Sequence, residues 1–147
     1  ATLEARGYIE QNRATENYRL GVRCLGLGQR FLHQTGLLRQ AGPVLRELAA
    51  STNETAFVSV PQRDGAVVLD AVEPARTVRL VARVGEVLPL HCTAVGKVFL
   101  AFSDLARPEA GDGGAYARLT AATKTDPAAV REDLEATLRN GYALEAG

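Results

Sequence analysis

The chain has 147 residues, of which 46% are hydrophobic and 23% charged, a balance that suits one globular domain with a real core. Seventeen basic and seventeen acidic residues cancel, so no net field announces nucleic acid or an anionic membrane, and any such partner has to be met by a local patch. No apolar run approaches the roughly 18 residues of a membrane span, and no leader opens the chain, so a cytoplasmic protein without a membrane partner is expected.

Cys24 and Cys92 stand far apart, which suits two free thiols better than a disulfide framework or a zinc site. No cofactor is called for. There is no methionine and the first residue is Ala1, so the chain is expected to be part of a longer product.

In chain order, Leu3 to Ile9 reads as the last turn of a helix stopped by Gly7, then a short strand. A polar tract from Glu10 to Glu16 leads to a second strand over Asn17–Gly21, giving a hairpin with Arg13 at its tip. Val22 to about Ser51 is helical in pattern, with Val22, Leu25 and Leu32 in one phase and Val44, Leu45 and Leu48 in a second run. Gly36 and the pair Gly42-Pro43 punctuate it; Pro43 suits the first position of a helix, which predicts two helices divided at Gly42-Pro43.

Glu54–Val60 and Ala66–Glu73 are β-rich runs on either side of an Asp64-Gly65 pair, predicting an antiparallel hairpin whose turn needs positive φ. Thr77–Ala82 (TVRLVA) alternates and is expected to pair as a third strand. A loop through Pro89 then precedes a helix from about Cys92 to Phe102, with Thr93 as its N-cap. Ser103–Leu119, with Gly111-Asp112-Gly113-Gly114, reads as loop. Asp126 as N-cap and Pro127 at the first position start the last helix, with Val130, Leu134 and Leu138 as its buried stripe and Asn140-Gly141 as its stop. Tyr142-Ala143-Leu144 begins a strand with no partner ahead of it, so the sheet is expected to continue elsewhere.

The stretch GEVLPLHCTAVGKVFLA, residues 85–101, sets His beside Cys at the start of a helix. One reading is a cysteine-dependent hydrolase, with Cys92 as nucleophile, His91 as base, and the helix start lowering the thiol pKa. Adjacent residues project in different directions, however, and a small buried thiol beside a structural histidine is the commoner arrangement. The other reading is binding. The small residues Thr93-Ala94-Val95-Gly96 sit on a first turn whose amides lack intrahelical acceptors, so a carboxylate would be held there. Leu80 and Leu88 would supply an apolar wall. Gly96 serves either ligand approach or close packing, and Lys97 either a ligand or a solvated charge. The glycines near Gly26 and Gly28 lack the strand before and the Lys-Ser or Lys-Thr after that a phosphate loop requires.

Several pieces together resemble the IclR family of bacterial transcriptional regulators: LEARGYI at 3–9, YRLG at 18–21, AGPVLRELA at 41–49, VG at 84–85, LPLHCTAVGK at 88–97, LT at 119–120, TDP at 125–127 and GY at 141–142. Their order and spacing carry the resemblance more than any one piece. It implies an α/β, GAF-like effector-binding domain, an antiparallel sheet with flanking helices, preceded by a remnant of a winged helix-turn-helix. On that mapping residues 1–21 are the end of the recognition helix and the wing, 22–40 a linking and dimerisation helix, and 41–147 the effector domain. The implied partners are operator DNA, contacted here by Arg13 and Arg19, a small carboxylic or aromatic acid, and further copies in a homodimer or homotetramer. The implied effector residues are Leu80, Leu88, Ala94, Val95 and, after the Gly-Tyr pair, Glu145, with Val95 narrowing its corner and the remaining pocket positions falling beyond Gly147. Such a protein is no enzyme, and the chain alone is expected to bind DNA weakly or not at all. A stand-alone sensor or dimerisation module is the third reading.

Overall fold

The computed structural model describes residues 2–34, 36–104 and 115–145, so the Gly111–Gly114 tract lies outside the described residues. The chain forms two compact units, residues 1–44 and 45–147.

In the first unit, α1 (Thr2–Ala5) ends at Gly7, whose φ of 71° is open to glycine without strain. The Gly7 amide donates to the Glu4 carbonyl at 2.8 Å and the Tyr8 amide to the Leu3 carbonyl at 2.9 Å, the paired bonds of a Schellman stop. β1 (Ile9–Gln11) and β2 (Tyr18–Leu20) then pair antiparallel, with Arg13 in the connecting turn as expected. α2 (Arg23–Gln34) follows. It has no buried residue, and Leu25, Leu27 and Phe31 are all exposed.

α3 (Leu37–Thr52) contains Pro43 in its interior, which corrects the expected division at Gly42-Pro43. The break falls about two turns earlier, where Gly36 at φ 62° supplies the left-handed residue that ends a helical run. Pro43 removes one backbone bond, to the carbonyl four residues back, without stopping the helix.

In the second unit the strand order is β3-β4-β5. β3 (Ala56–Gln62) and β4 (Gly65–Val72) form the expected hairpin. Its turn differs in mechanism, because neither Asp64 nor Gly65 has positive φ. Glycine is needed at 65 for room: a Cβ there would lie 2.5 Å from Val87 Cγ1 and 2.7 Å from the Leu88 carbonyl oxygen on β5 (Val87–Leu88). The third strand is thus β5 rather than Thr77–Ala82. Residues 77–82 make no ladder, and Val78, Leu80 and Val81 are exposed, so alternation without a neighbouring strand to receive its amides does not produce a strand.

A register shift between Val58 and Ser59 places an extra β4 residue, Leu69, opposite the β3 step. Such a bulge reverses which side chains face which side. Ala66 therefore joins a core with Leu100 of α4 (Ala94–Phe102) and Val130 and Leu134 of α5 (Pro127–Asn140). Val72 lies with Ala56 against Leu45 and Ala49 of α3. The result is an α/β arrangement with helices on both faces of an antiparallel sheet.

Both expected caps hold. Thr93 Oγ1 accepts from the Gly96 amide at 3.1 Å, and Asp126 accepts from the Ala128 and Ala129 amides, with Pro127 opening the helix. The stripe on α5 is Val130, Leu134 and Thr137, the last 2% exposed, whereas Leu138 is 51% exposed. A helical period of 3.6 carries the face from 134 to 137, and position 138 turns away. Tyr142–Leu144 forms no ladder.

Gly65→Ala is expected to destabilise the protein by about 1–3 kcal/mol through the clash with β5. Gly26→Ala, which meets nothing within 4 Å, is expected to be neutral or stabilising by up to about 1 kcal/mol. Urea midpoints of the two variants check the contrast.

Candidate functional site

α4 approaches the preceding segment so closely that only glycine fits at 96. A Cβ there would overlap the Leu90 Cα and lie 2.5 Å from the Leu90 carbonyl oxygen and 2.6 Å from that of Pro89. Gly96 therefore admits the chain's own backbone. Thr93 tightens the same corner by donating its hydroxyl to the Pro89 carbonyl at 2.6 Å. The first turn of α4 is in this way fixed against the sheet before any side chain of the site is considered.

His91 is buried, its Nε2 lies 2.9 Å from the Ala117 carbonyl, and its ring stacks on Tyr116 at 5.1 Å. A carbonyl only accepts, so Nε2 carries the proton and donates it. Cys92 is half-buried, and its thiol is pushed up from its ordinary value, first by burial and then by the negative charge of Glu145, against a smaller lowering by Lys97. The expected depression by the helix start is overturned, since the cap is Thr93 and Cys92 lies outside the helix. A raised thiol beside a histidine engaged elsewhere has none of the activation that nucleophilic catalysis needs.

Lys97 is 9% exposed, and its ammonium donates to Asp133 at 2.7 Å and to the Leu144 carbonyl at 3.0 Å. Asp133 also takes Lys124 at 2.5 Å. Burial raises the Asp133 pKa, and hydrogen bonds from Lys124 and then Lys97, with their charges, outweigh it, so the carboxyl sits below its ordinary value. Asp133 and Lys124 carry no local sequence signal of a site, and Lys97 reads from sequence as a ligand or a solvated charge. The readable signal was helical phase: Asp133 falls between Val130, Leu134 and Thr137 on the inward face.

These groups line one side of a cavity of about 280 Å³, open to solvent, whose other walls include Cys92, Thr93, Leu119, Leu144 and Glu145. Glu145 accepts from the Ala94 amide at 3.2 Å. The first-turn amide expected to hold a guest's carboxylate thus holds a carboxylate of the chain itself. Of the residues named from sequence, Ala94 and Glu145 are brought together. Leu88 and Val95 pack against the core beside it, and Leu80 stands in the exposed 77–82 segment, where its carbonyl accepts from Thr55. In the first unit Arg13 is exposed, and Arg19 pairs across the hairpin with Glu10 at 2.7 Å.

Residues 29–147 match the family model of the bacterial transcriptional regulator IclR C-terminal domain. The chain belongs to this family. It is 37% identical over 144 residues to the glycerol operon regulatory protein of Streptomyces griseus, covering 98% of the chain and 56% of that protein. It is 33% identical over 144 residues to the HTH-type transcriptional regulator KdgR of Escherichia coli K12, covering 96% and 54%. Among solved structures, an IclR transcriptional regulator from Silicibacter sp. TM1040 superposes with a TM-score of 0.82 at 30% identity, over 99% of the chain and 57% of that one. An IclR homologue from Microbacterium hydrocarbonoxydans, solved with 4-hydroxybenzoate, has the same fold, with a TM-score of 0.72 at 24% identity over 96% and 58%. The chain spans a little over half the length of the IclR relatives it matches. These relatives are named as regulators of transcription and none of them as an enzyme.

Because the folded pKa of Asp133 is depressed, its contribution to stability is complete above the ordinary carboxylate value of 3.8 and is lost as pH falls from there through the folded value. Asp133→Asn is therefore expected to be less stable than the parent chain at neutral pH, with the gap closing under acid. Denaturant midpoints across pH check this, and a gap that stays constant into strong acid contradicts the ion-pair account.

Proposed function

We propose that the intact protein is a bacterial transcriptional regulator whose operator affinity is set by a small acid held in the cavity at the start of α4. The observation that carries this reading is an open cavity with two lysine ammonium groups sharing a single carboxylate on its wall. Two ammonium groups against one carboxylate favour an anion, and the flanking Leu119 and Leu144 suit a small apolar body. The effector lies against Ala94 and Glu145, with Leu88 and Val95 as backing from the core side and Leu80 as an outer apolar contact.

In the same reading residues 1–21 are the end of a recognition helix and the wing of a winged helix-turn-helix, 22–40 the linking and dimerisation helix, and 41–147 the effector domain. Arg13, at the hairpin tip, meets phosphate. Arg19 does the same after exchanging Glu10, which costs little because exposed pairs contribute little. Exposed Leu25, Leu27 and Phe31 on α2 support association into a dimer or tetramer. The regulator works in the cytoplasm, where its operator is; among the described residues no helix is long and apolar enough to cross a membrane. The effector regulates only if it binds two arrangements of the assembly unequally.

Calorimetric titration of the intact protein with benzoate and 4-hydroxybenzoate is expected to show saturable binding. Ala94→Phe, of unchanged thermal midpoint, is expected to weaken it by at least about tenfold by crowding the start of α4 beside the cavity and displacing Glu145 from the Ala94 amide. Equal binding by both proteins removes this cavity from the proposal. Phe31→Asp is expected to shift the sedimentation profile toward smaller species; an unchanged profile contradicts the role given to α2.

A further inference from the structure

Among the described residues, five of the eleven that line the cavity, Leu119, Thr120, Ala122, Thr123 and Lys124, come from one segment ahead of α5. Residues 115–125 contain no helix or strand, so no ladder fixes this wall, and many of its backbone polar groups have to be met by side chains. His91 ties down the beginning, through the Ala117 carbonyl and the ring of Tyr116. Thr123 is buried and holds the turn: its Oγ1 accepts from the Thr120 amide at 2.9 Å and the Leu119 amide at 3.3 Å. Arg118, exposed, spans the remainder. Its Nη1 donates to the Ala121 carbonyl at 3.2 Å and the Thr123 carbonyl at 3.4 Å, and its Nη2 to Thr125 Oγ1 at 3.4 Å. Among the described residues Arg118 has no carboxylate within ion-pair distance, so its guanidinium is spent on these three neutral acceptors.

We infer that Arg118 is a positioning residue for the cavity: its guanidinium braces the 119–124 wall and thereby aims Lys124 at Asp133. What the wall is for rests on the reading of the cavity as an effector site; how it is held rests on the bonds themselves. Lys124 stands between Thr123 and Thr125, the two residues that Arg118 holds nearest α5, and the Thr125 carbonyl in turn accepts from the Tyr116 amide at 2.7 Å. The backbone on either side of Lys124 is fixed before its ammonium meets Asp133. A planar guanidinium serves several acceptors at once in a fixed fork, which the compact ammonium of a lysine on its flexible stem does not reproduce. Each of the three contacts is long and weak alone. Acting together on one short irregular segment, they remove conformational freedom that a guest otherwise has to remove on binding, so the bracing is read out as affinity. Arg118 lies outside both core clusters, so its loss alters the wall and leaves the core packing in place.

The test compares the intact protein with its Arg118→Ala and Arg118→Lys variants by amide hydrogen exchange and by calorimetric titration with benzoate. Exchange at the Leu119 and Thr120 amides is expected to quicken on the order of tenfold in both variants, while Val130 and Leu134 of α5 stay as protected as in the parent. Benzoate affinity is expected to fall on the order of tenfold in both, at an unchanged thermal midpoint. Lysine keeps the charge and loses the fork, so parent-like exchange in Arg118→Lys reduces Arg118 to a charge and overturns the brace. Unchanged exchange at Leu119 and Thr120 in Arg118→Ala overturns it too, and quickened exchange throughout α5 makes Arg118 a residue of the fold and overturns the positioning role. Parent-like benzoate affinity in either variant, with the wall loosened, overturns the link from brace to binding. If the parent protein binds no benzoate, the effector reading falls, and the exchange measurements alone decide the brace.

Discussion

The site depends on one ion pair, between the buried Lys97 and the partly buried Asp133. Lys97 leaves the otherwise apolar helix α4 and reaches Asp133 on α5, and the same ammonium group holds the Leu144 carbonyl. One side chain thereby joins two helices to the segment after α5, and that segment delivers Glu145 to the start of α4. A buried pair is weak evidence for stability, because the cost of desolvating two charges rivals their attraction. Its consequence here is geometric: an ammonium group, its carboxylate and an opposing carboxylate are set around a space large enough for a small molecule. Gly96 makes this possible from below, since a wider helix contact at Leu90 would move the whole first turn.

The pair also decides what the cavity's electrostatics are. A helix start on its own attracts anions, and the small residues at 93–96 advertise that property. Glu145 has already answered it. Of the two lysines on Asp133, Lys97 is the buried one and Lys124 the more exposed. His91 and Cys92, the residues most suggestive of catalysis, serve as framework: one is locked between Ala117 and Tyr116, the other is an unactivated thiol in the wall.

Local signals in the sequence reported local structure well. The Gly7 stop, the hairpin from Ala56 to Val72, the Thr93 cap and the Asp126-Pro127 start all follow from residues within a few positions of one another. Signals that depend on what lies opposite were not readable. TVRLVA alternates as a strand does, yet no neighbouring strand takes up its amides. Pro43 looks like a boundary, yet Gly36 has the backbone freedom that made the break there. Gly65 reads as a turn glycine, and is required instead because β5 passes too close for a Cβ. The charged cluster escaped for the same reason. A lysine in an apolar helix is ordinarily a packed stem with a wet head, and only the packing of α5 on α4 turns it into half of a buried pair. The resemblance carried Glu145 to the site, and nothing local pointed to Lys124.

Cys92 offers the most direct view of the central claim, because its thiol lines the cavity while Cys24, hydrogen-bonded to the Tyr8 carbonyl in the other unit, is an internal reference. The decisive measurement is the rate of alkylation of each cysteine in the intact protein at mildly alkaline pH, followed by peptide mass spectrometry, with and without a saturating small carboxylic acid. The account requires the guest to slow modification of Cys92 and leave Cys24 unaffected. Equal rates at Cys92 with and without a guest that demonstrably binds would place that guest elsewhere and contradict it.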